Sequence, residues 1–255
     1  MSSYKLNNII ADRKSKKIYL DGDKVIKLMG EEYPAPDVLS EAHNLAAVGE
    51  TGLKVPKLVE VTKIDGKWAV VWEYVKGTTL AQLMEKNKDN EQQQQQYLER
   101  FVDIQLDMHR YHATRLPLLT EKMERKIKAS GLDATVRYEI LGRLASMPKH
   151  VKLCHGDFNP SNIVITDKDE AYIIDWSHAT QGNASADAAH TYMLFWLTGD
   201  IALAEEYLAL FCKKNDTAVQ YVEKWVPIVA ASQLPKAKPE ERSLLMSWAN
   251  VAEYV

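Results

Sequence analysis

Residues 154–176, CHGDFNPSNIVITDKDEAYIIDW, constrain this chain more than any other stretch of it. Two short apolar runs, Ile163-Val164-Ile165 and residues 171–174, flank a polar turn at 166–170. Such a pair around a charged turn predicts a hairpin. The first strand begins beside Asn162 and the second ends at Asp175, so an antiparallel pairing sets these two side by side. A loop just upstream carries a third polar group, Asp157. Oxygen-only ligands suit a hard cation such as Mg²⁺, which binds through one or two carboxylates plus substrate phosphates.

The spaced set His155-Gly156-Asp157, Asn162 five residues after Asp157, and Ile174-Asp175-Trp176 resembles the signature of the aminoglycoside phosphotransferase and choline kinase-like family. In protein kinases the matching set is H-R-D, an Asn five residues on, and D-F-G. Here Gly156 stands for Arg and Trp176 for Phe. A lone HGD tripeptide is a weak signal, whereas the whole spaced set is specific. The resemblance implies an α+β, bilobal protein-kinase-like fold. Residues 1–75 would form a small antiparallel-sheet N-lobe that binds nucleotide. Residues 76–255 would form a mainly helical C-lobe with the catalytic loop and the acceptor site.

It also implies an ATP- and Mg²⁺-dependent phosphotransferase that moves the γ-phosphoryl group to a hydroxyl of a small molecule. Asp157 would be the catalytic base, and Asn162 and Asp175 the metal ligands. His155 would support the catalytic loop. Asp187 would hydrogen-bond back to the backbone of that loop, although an aspartate in a first helical turn is also favoured by the helix dipole alone.

The N-terminal third fits the same scheme. Residues 8–11, 17–20 and 24–28 alternate apolar runs with charged turns and predict three strands. Residues 12–17 would be the nucleotide-covering loop. It contains no glycine, so close backbone approach to phosphate is less assured. Ser15 and the basic Arg13, Lys14, Lys16 and Lys17 are the candidate phosphate contacts. Lys27 matches the strand lysine that holds the α- and β-phosphates; from the strand alone it reads as the exposed side of a half-buried strand. A helix over 40–48 would offer Glu41 as the partner of Lys27. The run at 68–75 would lead into the hinge, where backbone groups near Glu73 and Val75 read adenine.

The rest of the chain reads as helices at 79–88, 90–115, 120–130, 133–147, 185–198, 201–214, 216–233 and 238–252. Tyr97, Phe101, Ile104, Leu106 and Met108 are the expected core stripe of the second, and Ser185 the expected cap of the fifth. His109 and His112 suit packing or helix-surface roles better than metal ligation. Trp225, Trp248 and Phe211 suit the core.

Net charge is −3, so nothing global favours nucleic acid. No run approaches a membrane span, and residues 1–17 lack a signal-peptide apolar core. Cys154 and Cys212 have no metal spacing and read as buried thiols of a reducing cytoplasm. Charge is uneven: residues 155–255 carry 7 Lys+Arg against 14 Asp+Glu, and the first 154 residues carry 25 against 21. This balance points to a cationic acceptor, with Glu205, Glu206 and Glu223 as the available acids, or simply to solvated helix faces. Oligomeric state is not legible. Two other readings use the same residues. A pseudokinase would bind nucleotide without transfer. A metal hydrolase would use His155, Asp157, Asp175 and His178, and would leave Lys27 and Asn162 without a purpose.

Overall fold

The computed structural model describes residues 4–13 and 15–250. Along the chain these form β1 (Ile9–Arg13), β2 (Lys16–Asp21), β3 (Lys24–Met29), α1 (Ala35–Gly49), β4 (Leu58–Ile64), β5 (Lys67–Glu73), β6 (Thr78–Thr79) and α2 (Leu80–Lys86). There follow α3 (Glu91–Met108), α4 (Leu119–Lys128), α5 (Ala134–Ser146), β7 (Lys152–Cys154), β8 (Ile163–Ile165), β9 (Ala171–Ile173) and β10 (Thr180–Gly182). Five helices complete the described chain: α6 (Ala184–Leu197), α7 (Ile201–Lys214), α8 (Val219–Glu223), α9 (Val226–Gln233) and α10 (Pro239–Ala249). These elements form two compact units. One comprises the chain up to residue 86 together with 160–178, and the other residues 87–159 and 179 onward.

The first unit is built on an antiparallel sheet of order β1-β2-β3-β5-β4. Strand β3 lies inside it and is buried over Val25, Ile26 and Lys27. Lys27 is therefore not on a solvent face; only 2% of it is exposed. The turn between β4 and β5 holds Asp65 at φ 50° and Gly66 at φ 82°, the left-handed pair that a two-residue hairpin needs. Helix α1 covers one face of the sheet, where Val38 and Ala42 meet Met29 and Val70.

Residues 12–17 differ from the expected loop. Asp12 and Arg13 belong to β1, and Lys16 and Lys17 to β2, with Asp12 paired to Lys17. Ser15 lies in a turn between the two strands, and Lys14 lies outside the described residues. The alternating polar residues are good strand edges, which is why a tight hairpin replaces a loop here.

The hairpin over 163–173 pairs Ile163 with Ile173 and is joined by β6 into a second sheet. Gly77 makes that junction possible. A Cβ there would stand 2.3 Å from the Ile165 carbonyl oxygen.

The second unit is helical. Helix α3 is capped by Asn90, whose side chain accepts from the Gln93 amide at 3.0 Å. It ends at Met108, earlier than the residue 115 expected. The amides of Arg110 and Tyr111 turn back to carbonyls three residues earlier, and Tyr111 O then accepts the Leu153 amide of β7 at 3.0 Å. Its buried side is Leu98, Phe101, Val102, Gln105 and Met108, a stripe one position away from much of the expected one.

Asn183, not Ser185, caps α6, accepting from the Ser185 amide at 2.9 Å. The helix expected over 216–233 is two, α8 and α9, broken around the fully buried Trp225. Pro227 begins the second of them and cannot donate into a continuing ladder. Phe211 is also fully buried, while Trp248 is half-buried and stacks on Tyr192 with ring centroids 6.0 Å apart. Among the described residues no helix is long and apolar enough to cross a membrane.

Candidate active site

In the first unit four of the candidate residues converge. Lys27 enters from β3, Glu41 from α1, Asn162 from a 3-10 turn (Pro160–Asn162) and Asp175 from just past β9. All four line one cavity of about 170 Å³, together with Arg13, Ile18, Val70 and Trp72. A whole-ligand site usually needs ~300–1,000 Å³, so this volume suits only the phosphate end of a nucleotide.

Burying an unpaired ammonium is costly, and two carboxylates meet that need. Lys27 makes a direct ion pair with Glu41, and its Nζ lies 3.7 Å from Asp175 Oδ1. Burial works against the charge on Lys27, but Asp175 and Glu41 outweigh it, and its pKa is raised. Lys16 stands beside the pair. Burial first, then repulsion from Lys27, lowers its pKa. It follows from the strand register, in which Ile18 faces Lys27 and Lys16 faces Met29, that Lys16 points to the same side of the sheet as Ile18.

Asp175 is held in a conformation that few side chains adopt, with φ 60°. Such strain persists only where the surroundings enforce it, and it clusters at functional sites. Here the Ser177 hydroxyl donates to Asp175 Oδ1 at 3.0 Å, and Trp176 behind it is buried, its indole N–H given to Ile173 O at 2.9 Å. Asn162 is set by the hairpin itself, since its carbonyl accepts the Ile174 amide at 2.9 Å. Asn162 and Asp175 thus flank the hairpin's open end, one amide and one carboxylate. That donor set, oxygen only, fits a hard divalent cation.

The hinge candidates lie elsewhere in this unit. Glu73 and Val75 line a separate concavity of about 830 Å³ beside Pro56, Leu58, Thr166 and Tyr172. The segment after β5 has no regular structure and is anchored where the Tyr74 amide donates to Asp23 O at 2.7 Å. Ser15 lines neither cavity; its carbonyl accepts the Gly30 amide at 2.8 Å.

The catalytic-loop candidates belong to the second unit. Asp157 is half-buried. Its amide donates to His155 Nδ1 at 3.2 Å, and the Asn159 side-chain amide donates both to its carbonyl at 3.0 Å and to its Oδ1 at 3.3 Å. His155 is fully buried, so it positions Asp157 rather than facing solvent.

Beneath the loop lies Asp187 on α6. It accepts the Gly156 amide at 2.7 Å, the His155 amide at 3.2 Å and the His109 Nε2–H at 3.0 Å. Burial raises the pKa of this carboxyl, but the His109 contact and the Gly156 amide prevail and hold it below the ordinary range. Gly156 can turn its amide inward because it sits at φ 73°, where a side chain is disfavoured.

A second buried anchor lies one helical turn along. The Thr191 hydroxyl donates to Phe158 O at 2.9 Å and accepts from Gln105 Nε2 at 3.2 Å, while Tyr207 donates to Gln105 Oε1 at 2.6 Å. The loop is therefore fixed at three backbone positions by two residues of α6, spaced four apart so that they share a face.

Four supporting residues were not singled out from the sequence for this work: Asn159, Thr191, Gln105 and Tyr207. Only Gln105 carried a signal, being a polar residue at a position where α3 turns inward. His109, read as packing or surface, is buried and holds Asp187. Of the residues that a metal-hydrolase reading would use, His155 has its Nδ1 taken by the Asp157 amide at 3.2 Å. Among the described residues no three His, Cys, Asp or Glu side chains are grouped to hold a metal.

The family model described as "Phosphotransferase enzyme family" matches residues 10–221. A sequence comparison with curated proteins gives no match. Among solved structures, the chain is similar to an apo thermostable mutant of the aminoglycoside phosphotransferase APH(4)-Ia, with TM-score 0.66, 12% identity and 95% of this chain and 92% of that chain covered. It is also similar to a choline/ethanolamine kinase family protein from Mesorhizobium loti, with TM-score 0.65, 15% identity and coverage of 99% and 91%. A third, an aminoglycoside-3'-phosphotransferase of type VIII, has TM-score 0.63, 16% identity and coverage of 90% and 93%. These likenesses show the α+β, kinase-like fold.

Proposed function

We propose that this chain, which belongs to the phosphotransferase enzyme family, is a small-molecule kinase that transfers the γ-phosphoryl group of ATP to a hydroxyl. The observation that carries this reading is the convergence of Lys27, Glu41, Asn162 and Asp175 on one cavity. A lysine held charged by two carboxylates, beside an oxygen-only donor pair, is an arrangement for polyphosphate and a divalent cation. One solved APH(4)-Ia structure is a ternary complex with ADP and hygromycin B, which supports a nucleotide and a small-molecule acceptor here.

In this reading Lys27 binds the α- and β-phosphates and Glu41 keeps it in reach. Asn162 and Asp175 would hold Mg²⁺, which when bound neutralises charge on the phosphates. Lys16 and Arg13 add positive charge at the same end, in place of a glycine-rich loop. The adenine would lie near the backbone of Glu73 and Val75. Asp157 orients the acceptor hydroxyl and takes its proton. The hydroxyl oxygen then bonds to the γ-phosphorus, the bond to the β-phosphate oxygen breaks, and ADP leaves with that electron pair. Little of this is covalent work for the protein; placement and electrostatics dominate.

The test is ADP release from Mg·ATP with a panel of hydroxyl compounds, run beside Asp157→Asn. A positioned base contributes ~10²–10⁴-fold, so the variant should lose transfer by that order while its melting temperature still rises with Mg·ATP. If Mg·ATP neither binds nor yields ADP, the reading fails.

A further inference from the structure

Glu41 is not the only polar residue that α1 turns inward. Asn44 lies three positions on, so the two share a face of the helix, and Asn44 is only 2% exposed. Its neighbours on the buried side are Val38, Ala42, Leu45, Ala47 and Val48. Asparagine is a poor helix former, and burying its amide is costly unless the amide is hydrogen-bonded.

The amide faces the 3-10 turn (Trp176–His178), against which α1 packs. Asn44 Nδ2 donates to Trp176 O at 3.2 Å and to Ser177 O at 3.4 Å. Asn44 Oδ1 is buried and finds no donor among the described residues. A buried acceptor left unpaired is unfavourable, and an apolar residue of similar size would pack here without that penalty. What asparagine supplies, and leucine could not, is a pair of donors for two successive carbonyls.

Those carbonyls belong to the two residues that follow Asp175. Asp175 stands at φ 60°, a left-handed conformation that residues with a Cβ adopt at a cost. The chain is pinned on both sides of it. Before it, the Ile174 amide is given to Asn162 O at 2.9 Å. After it come the two carbonyls held by Asn44. On the same stretch the Ser177 hydroxyl donates to Asp175 Oδ1 at 3.0 Å. The direction of the carboxylate is thus set by backbone that α1 grips. Through Glu41 the same helix holds Lys27, whose Nζ stands 3.7 Å from that carboxylate.

We propose that Asn44 is a positioning residue for the divalent cation. By pinning Trp176 O and Ser177 O it keeps Asp175 in the strained conformation that presents its carboxylate beside Asn162. This rests on the kinase reading above, and extends the groups that serve the metal from its two ligands to helix α1.

The test is calorimetric titration of Mn²⁺, as a probe for Mg²⁺, into protein saturated with ADP. In Asn44→Leu the Mn²⁺ affinity should fall ~10–100-fold, the usual effect of removing an outer-shell partner of a metal ligand. Metal-free ADP, held by Lys27, should bind the variant as it binds the wild type. Asn44→Ala removes the same donors and should show the same loss, so it carries the test if the leucine variant does not fold. Val38→Ala loosens the same helix against Met29 and Val70 without touching the turn. It controls for lost stability alone and should keep the wild-type Mn²⁺ affinity.

Unchanged Mn²⁺ affinity in the Asn44 variants, an equal loss in Val38→Ala, or a parallel loss of metal-free ADP binding would each overturn the proposal. Failure of the wild type to bind ADP, or Mn²⁺ in its presence, would overturn the kinase reading itself and this proposal with it.

Discussion

Replacing Asp187 with Asn tests how the catalytic loop is held. The carboxylate takes three donors on two oxygens: the Gly156 amide at 2.7 Å, the His155 amide at 3.2 Å and His109 Nε2 at 3.0 Å. Asparagine has the same shape but one acceptor oxygen, so at least one donor would face an NH₂ group. A lost hydrogen bond to a charged group costs ~1.5–3 kcal/mol, and a buried donor left unpaired ~1–3 kcal/mol. The sum, about 2.5–6 kcal/mol, corresponds to a fall in melting temperature of roughly 5–24 °C for a chain of this size.

The pH dependence has a definite sign. The folded-state pKa of Asp187 is lowered, so its ionised form stabilises the fold above the ordinary carboxylate range. That contribution is lost as pH falls through the lower, folded value. The gap between wild type and Asp187→Asn should therefore be full at pH 7 and shrink below about pH 4. Denaturant unfolding at pH 7, 5 and 3 measures it. Equal midpoints at pH 7, or a gap that does not change with acid, would refute the assignment of Asp187 as the charged anchor of the loop.

Two further substitutions probe the first unit. Lys27→Ala leaves Glu41 and Asp175 facing one another without their cation; affinity for Mg·ATP should fall at least ~10-fold by titration, and unchanged affinity would remove Lys27 from the phosphate site. Gly77→Ala sets a Cβ 2.3 Å from the Ile165 carbonyl oxygen, a backbone clash that should cost ~1–3 kcal/mol in a thermal melt, whereas a neutral result would mean that β6 does not depend on this contact.

What could be read from the sequence was what local chemistry decides. The hairpin over 163–173 follows from two short β-rich runs and a polar turn, and its register sets Asn162 beside Ile174 without help from distant residues. The turn at Asp65-Gly66 is equally local. The loop expected over 12–17 rests on the resemblance to a kinase N-lobe, but a polar two-stranded edge has the same composition as a loop, and pairing with β3 decides the matter. The early end of α3 is likewise set by a tertiary bond, from Tyr111 to β7.

The supports of the catalytic loop show the limit more clearly. Asp187 was accessible only through the spacing of a resemblance. Thr191 and Gln105 meet across 86 positions of sequence, and no period or cap announces such a pair. The same holds for charge. A count of acids over residues 155–255 sums over a surface, most of which is solvated and distant from any ligand. The field at a site is set by the few charges that are near and partly buried, where the surroundings screen them least.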